Sequence, residues 1–193
     1  PGAFPIRWPE AAAAPTGGDD VVFFAQAISP ASIRARLHML EVSNLIALKH
    51  PDRRVVIKLR QRTGENTLHK HKEQFPYEEL LKNLIPAPAP NLEISAASMA
   101  ETLLTAGRCF TCTSTAAMDA ISAGAPTAVY LDYVETYLDD LSLHMETVFE
   151  RSGLIIPLER LLELDFPTPN PGWMAQFFRG DDLYAELEEV VDA

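Results

Sequence analysis

The chain alternates short runs of β-forming apolar residues with stretches of helical periodicity, and this limits its fold more than any other feature. Residues 21–27, 54–59, 92–95, 108–113, 127–131 and 154–156 are the apolar runs, with Val55, Val56 and Ile57 at the centre of the second. Each is short, and the runs are mostly apolar rather than alternating, the pattern of strands buried on both faces. Helices are expected over 30–49, 77–84, 98–106, 114–123 and 139–151, with the remainder to residue 193 mostly helical. Ser29 is expected to cap the first helix and Pro30 to start it, with Ile33, Leu37, Leu40, Leu45 and Leu48 on its apolar face. Gly124 and Pro126 supply a helix stop. Repeated β-α units of this kind predict an α/β fold: a Rossmann-like, doubly wound parallel sheet of about six strands with helices on both faces. Ligands of such folds bind beyond the carboxyl ends of the strands, where the strand order reverses.

A length of 193 residues suits one domain, and an apolar fraction of 47% is ordinary for a globular chain. No run of about 18 apolar residues exists to span a membrane. Residues 1–20 contain four prolines, a Gly-Gly pair and an alanine run, so they are expected to be an interdomain linker ahead of a domain over 21–193. They lack the basic and apolar regions of a signal peptide. The chain opens at Pro1 without Met, which together with the linker predicts a missing domain upstream.

The net charge of −11 argues against general nucleic-acid binding. Eight of the sixteen Lys and Arg residues nevertheless fall between Lys49 and Lys72, among them Lys58 and Arg60. A basic island on an acidic chain fits a small anionic ligand, with a solvated loop as the plainer alternative. Cys109 and Cys112 form a C-x-x-C, but neither a second Cys pair nor a His pair completes a zinc site. Their odd offset on a strand puts the thiols on opposite faces, so buried, reduced cysteines are expected, as in a reducing cytoplasm.

The strongest candidate site is C-T-S-T-A-A-M-D-A-I-S-A-G-A-P, residues 112–126. A strand ends and a helix begins at Thr113, Ser114 and Thr115, where free backbone N–H groups and hydroxyls suit phosphate. Asp119, one turn further on, suits ribose hydroxyls. An ordinary capped helix is the alternative. Lys58 and Arg60 end the second strand and face one side, at the same sheet edge. His69 and His71 in the following loop, and Gln26 after the first strand, are further candidates for contact with the ligand. That first loop has no G-x-G-x-x-G, which weakens the case for NAD or FAD. Asp132, Glu135, Asp139 and Asp140 are expected to form a solvated acidic loop, with no metal site. Trp173, Phe177 and Phe178 are expected to pack the C-terminal helices onto the core or onto the missing domain.

The Thr113-Ser114 pair, the acid at Asp119 and the Gly124-x-Pro126 stop resemble the nucleotide-binding, C-terminal half of GT-B glycosyltransferases, including the capsule-type and polysialic-acid-type enzymes. VVIKLR, TLH at Thr67 to His69, FPYEELL and FERSGL are similar to a bacterial family of proposed glycosyltransferases. The resemblance implies that the hydroxyls and helix N-terminus hold donor phosphates and that the acid holds ribose. The sequence departs from the family in two places: Asp119 stands for a longer Glu, and Lys58-Leu59-Arg60-Gln61 replaces K-x-H-P. The implied function is transfer of a sugar from a nucleotide-activated donor to a glycan or cell-envelope acceptor, in polysaccharide biosynthesis. No cofactor or metal is required, and the chain acts in the cytoplasm or at the inner face of the membrane. The general base would come from the missing N-terminal acceptor domain, leaving this half inactive alone. A non-catalytic nucleotide- or phosphate-binding module and a sugar-nucleotide epimerase half are the alternatives.

Overall fold

The computed structural model describes residues 18–60, 74–139 and 147–179, and the backbone of residues 6–7. Its strands are β1 (Ile6–Arg7), β2 (Asp20–Phe24), β3 (Val55–Lys58), β4 (Leu92–Ser95), β5 (Ala106–Thr111), β6 (Thr127–Val129) and β7 (Phe178–Arg179). The helices are α1 (Ile33–Lys49), α2 (Tyr77–Lys82), α3 (Met99–Thr105), α4 (Ala116–Ser122), α5 (Tyr133–Tyr137), α6 (Leu158–Leu162) and α7 (Pro171–Phe177).

Strands β2 to β6 form one sheet in the order β4-β3-β2-β5-β6, with every pairing parallel. The chain builds outward from β2 to β4, then crosses back to lay β5 on the other side of β2. The strand order therefore reverses between β2 and β5. The expected sixth strand is reduced to Ile155, which makes an isolated parallel bridge to Val129. Among the described residues the main sheet thus has five strands, and a full sixth is not seen. A separate two-stranded parallel sheet pairs β1 with β7, placing strand residues inside the expected linker and after the last described helix. Helix α5 precedes the region where a helix was expected over 139–151. Residues 147–150 are turns, and 140–146 and 180–193 lie outside the described residues.

Burial follows the alternation of side chains across the sheet. Val21, Phe23, Val55, Ile57 and Phe110 pack on one face against Ala35, Met39, Leu40 and Ile46 of α1. Val22, Phe24, Val56 and Cys109 occupy the other face with Ala120 of α4, and Met99 and Leu103 of α3 pack on them. Cys112 lies in the first cluster and Cys109 in the second, so the thiols straddle the sheet as their spacing predicts. Both are free and buried, and burial pushes each up to about 12. Trp173, 3% exposed, contacts the rings of Phe149, Phe177 and Phe178, closing the C-terminal helices onto the core.

The apolar face of α1 differs from the expected one. Its buried residues are Ala35, Arg36, Met39, Leu40, Val42, Ser43, Asn44, Ile46 and Ala47, whereas Ile33, Leu45 and Leu48 are exposed. The buried face mixes Ala and Ser with Met39, Leu40 and Ile46, while Leu45 and Leu48 point outward. The cap is Ser32, whose hydroxyl accepts from the Ala35 N–H at 3.1 Å, and not Ser29, which is itself buried. The acidic loop also departs from expectation. Asp139 is 3% exposed and its Oδ2 accepts the Ala31 N–H at 2.9 Å, pinning the loop after β2. Asp132 Oδ2 accepts the Leu158 N–H at 2.9 Å. These carboxylates are used to satisfy backbone amides, which a sequence of acids alone does not reveal.

Where the chain enters the sheet, two backbones touch. A Cβ on Gly107 would lie 2.4 Å from the Gly18 carbonyl oxygen and 3.0 Å from Asp19 Cα, and a Cβ on Gly18 would meet the Thr105 carbonyl oxygen. Both obstacles are backbone, which cannot rotate away. Gly107→Ala is expected to cost about 1–3 kcal/mol of stability, the range for overpacking. Urea denaturation measures this, and an unchanged midpoint would contradict the close approach.

Candidate functional site

A cleft of about 590 Å³ opens beyond the carboxyl ends of β2, β3 and β5. It sits at the reversal of strand order, the position at which such sheets bind ligands. Its wall contains Gln26 from the end of β2, Lys58 and Arg60 from the end of β3, and Ser114, Thr115 and Asp119 from the turn into α4 and its first turn. Six residues anticipated from sequence therefore meet in one place. Thr113 stands behind the wall, fully buried, with its hydroxyl donating to Gln26 Oε1 at 2.8 Å. His69 and His71 lie outside the described residues. Phe24, Ala27, Ile28, Ala97 and Met99 supply an apolar lining beside the polar groups.

Lys58 is the buried charge of the cleft wall, Arg60 and Asp119 being exposed. Its register opposite Phe24 and Ser95 places it on the face that leads into the cleft. It is only 7% exposed, and its ammonium donates to the neighbouring Leu59 carbonyl. Among the described residues its three N–H donors thus meet one acceptor, and no carboxylate is paired to them. Burial lowers the Lys58 pKa from its ordinary value, because desolvation disfavours the charged form. Arg60, at the same strand end, is exposed. On the opposite wall Asp119 is exposed overall, yet the cleft shields its carboxyl enough to raise its pKa.

The start of α4 offers less than its sequence suggests. The Ser114 N–H donates to Thr111 Oγ1 at 3.1 Å, and the Ala116 N–H to Ser114 Oγ at 3.2 Å. Ala117 and Met118 donate to the carbonyls of Ser114 and Thr115 at 3.1 and 2.9 Å. The turn satisfies most of its own amides, and Ser114 and Thr115 line the cleft. Positive charge here comes chiefly from side chains.

One organising residue was not visible in the sequence. Arg36 of α1 is 1% exposed, and its guanidinium donates to four carbonyls: Gln26 (2.9 Å), Ala27 (2.6 Å), Pro30 (2.8 Å) and Phe75 (3.2 Å). It also lies 4.9 Å from the centre of the Tyr77 ring. Arg36 therefore fixes the loop that presents Gln26. Its position one helical turn before Met39 and Leu40, on the face that includes Ser43 and Ala47, was the only available signal.

Comparison with known proteins identifies the family. A family model described as "Putative glycosyltransferase (DUF6716)" matches residues 3–193. No curated protein and no solved structure matches the chain at a significant level.

Proposed function

From the premise that the chain belongs to this glycosyltransferase-like family, we propose that its cleft binds the nucleotide of an activated sugar donor. The sugar passes to a glycan or cell-envelope acceptor, and the fold is that of the nucleotide-binding half of a GT-B enzyme of capsule or polysialic-acid type. The observation that carries this reading is Lys58: a buried ammonium that meets one acceptor among the described residues, on the wall of a cleft at the switch point. An isolated buried charge is costly, and an anion supplied by a ligand offsets that cost.

In this scheme Lys58 and Arg60 flank the donor phosphates, Ser114 and Thr115 add hydroxyl donors, and Asp119 accepts from the ribose hydroxyls. During transfer the bond between the anomeric carbon and the phosphate oxygen breaks, and the acceptor oxygen bonds to that carbon. Charge accumulates on the departing phosphate, where preorganised cations stabilise the transition state most. The acceptor's proton goes to a base on a second, acceptor-binding domain. No metal or cofactor is assigned to the step. Among the described residues no helix is long and apolar enough to cross a membrane.

Titration calorimetry of the 193-residue chain with UDP, CDP, GDP, ADP and CMP tests the proposal. At least one should bind, and its 2′-deoxy form should bind more weakly in the wild type but not in Asp119→Asn. Absence of binding across the panel would remove the nucleotide reading.

A further inference from the structure

Thr113 and Gln26 form a pair whose hydrogen bond sets which group of the carboxamide is left for the cleft. Gln26 Oε1 has no proton and can only accept, so the single hydroxyl proton of Thr113 is given to it, at 2.8 Å. The next neighbour of that hydroxyl, Ser29 Oγ, is further away at 3.3 Å. With its oxygen held inward, the Gln26 carboxamide turns its NH2 group outward. That nitrogen has no partner among the described residues, and Gln26 lines the cleft. The backbone beneath is held as well, since the Gln26 carbonyl accepts from Arg36. Phe24 is in register with Lys58, and Gln26 follows two residues later, past the end of β2, so both line the cleft from adjacent strands. The cleft thus presents N–H donors, namely the ammonium and the amide NH2, together with the carboxylate acceptor of Asp119.

Resting on the nucleotide reading above, we propose that Gln26 is a donor to phosphate oxygen and that Thr113 is its positioning residue rather than a ligand contact. The pair presents N–H donors and no acceptor from the carboxamide, which suits a phosphate oxygen, an acceptor at every lone pair.

The test uses the tightest-binding nucleotide of the panel, titrated into the 193-residue chain and its variants. Gln26→Ala should weaken binding by about tenfold, the typical worth of a hydrogen bond to a charged group. Gln26→Glu should weaken it further, because it sets an anion against the phosphate. Thr113→Val, which keeps shape but removes the proton, should lose a few-fold in affinity, and Thr113→Ser should restore it. In the Gln26→Ala background Thr113→Val should have no further effect. Equal losses from Thr113→Val in both backgrounds would overturn the positioning role. If Thr113→Val does not fold, the glutamine pair decides alone: Gln26→Glu binding as well as Gln26→Ala overturns the donor assignment. Wild-type affinity in every Gln26 variant, with Lys58→Met still impaired, defeats this inference and leaves the nucleotide reading standing. No nucleotide binding by the wild type defeats both.

Discussion

Replacing Arg36 by Met is expected to lower stability by about 3–5 kcal/mol, a large share of what a domain of this size holds. Four backbone carbonyls in the loop after β2 and the segment before α2 lose a charge-assisted donor at once. Each buried acceptor left unsatisfied costs about 1–3 kcal/mol, and only partial relaxation toward water offsets the sum. Methionine fills much of the same volume, so the loss reports hydrogen bonding more than packing. Arg36→Lys should recover little, because one ammonium cannot reproduce the planar fork that reaches several carbonyls. Urea denaturation followed by circular dichroism measures the change. A loss below about 1 kcal/mol would mean the carbonyls find other donors.

Lys58→Met should act in the opposite sense on stability and strongly on binding. The free protein should be as stable as the wild type or more so, since a desolvated charge with little compensation is removed. Nucleotide affinity should fall by about 1.5–3 kcal/mol, the range for charged hydrogen bonds. Arg60→Ala should lose less, because solvent screens an exposed guanidinium. The pH dependence follows from the direction of the Lys58 shift. Below its lowered folded pKa the lysine is protonated in folded and unfolded chains alike, and the cost of burying its charge is fully present. Between that value and 10.5 the unfolded chain binds more protons, so the lysine's contribution makes stability rise with pH. Binding an anion favours the protonated amine, so the complex takes up a proton in this window and affinity falls as pH rises through it. Calorimetry in buffers of different ionisation enthalpy reads that uptake. Lys58→Met should abolish it, and an unchanged alkaline limb would assign the titration elsewhere.

The strands were legible because parallel-sheet strands are short, apolar and punctuated, and all five of the main sheet overlap the apolar runs of the sequence. The site was legible in outline for a topological reason: once β3 and β5 are located, the residues that follow them must lie at one sheet edge. Side-chain direction just past a strand end was not legible. Thr113, Ser114 and Thr115 are equivalent hydroxyls in sequence, yet the turn sends Thr113 inward and Thr115 outward. Arg36 and Asp139 were missed for a related reason. Charged residues are usually exposed, and their burial here depends on carbonyls and amides supplied by loops, the one after β2 for both and the segment before α2 for Arg36. Likewise Leu45 and Leu48 drew attention to the wrong side of α1, because size alone does not mark which face of a helix meets the sheet.

The two cysteines give each layer of the sheet its own clock. A thiol at about 12 is ionised in roughly one molecule in ten thousand at pH 8, and both are shut away from reagents in the folded chain. Alkylation must therefore wait for the layer above each sulfur to open. Cys109 reports release of the α3–α4 side, and Cys112 reports release of the α1 side. Matching labelling rates would describe a molecule that opens all at once. Divergent rates would describe one that sheds one layer first, with the central strands still paired.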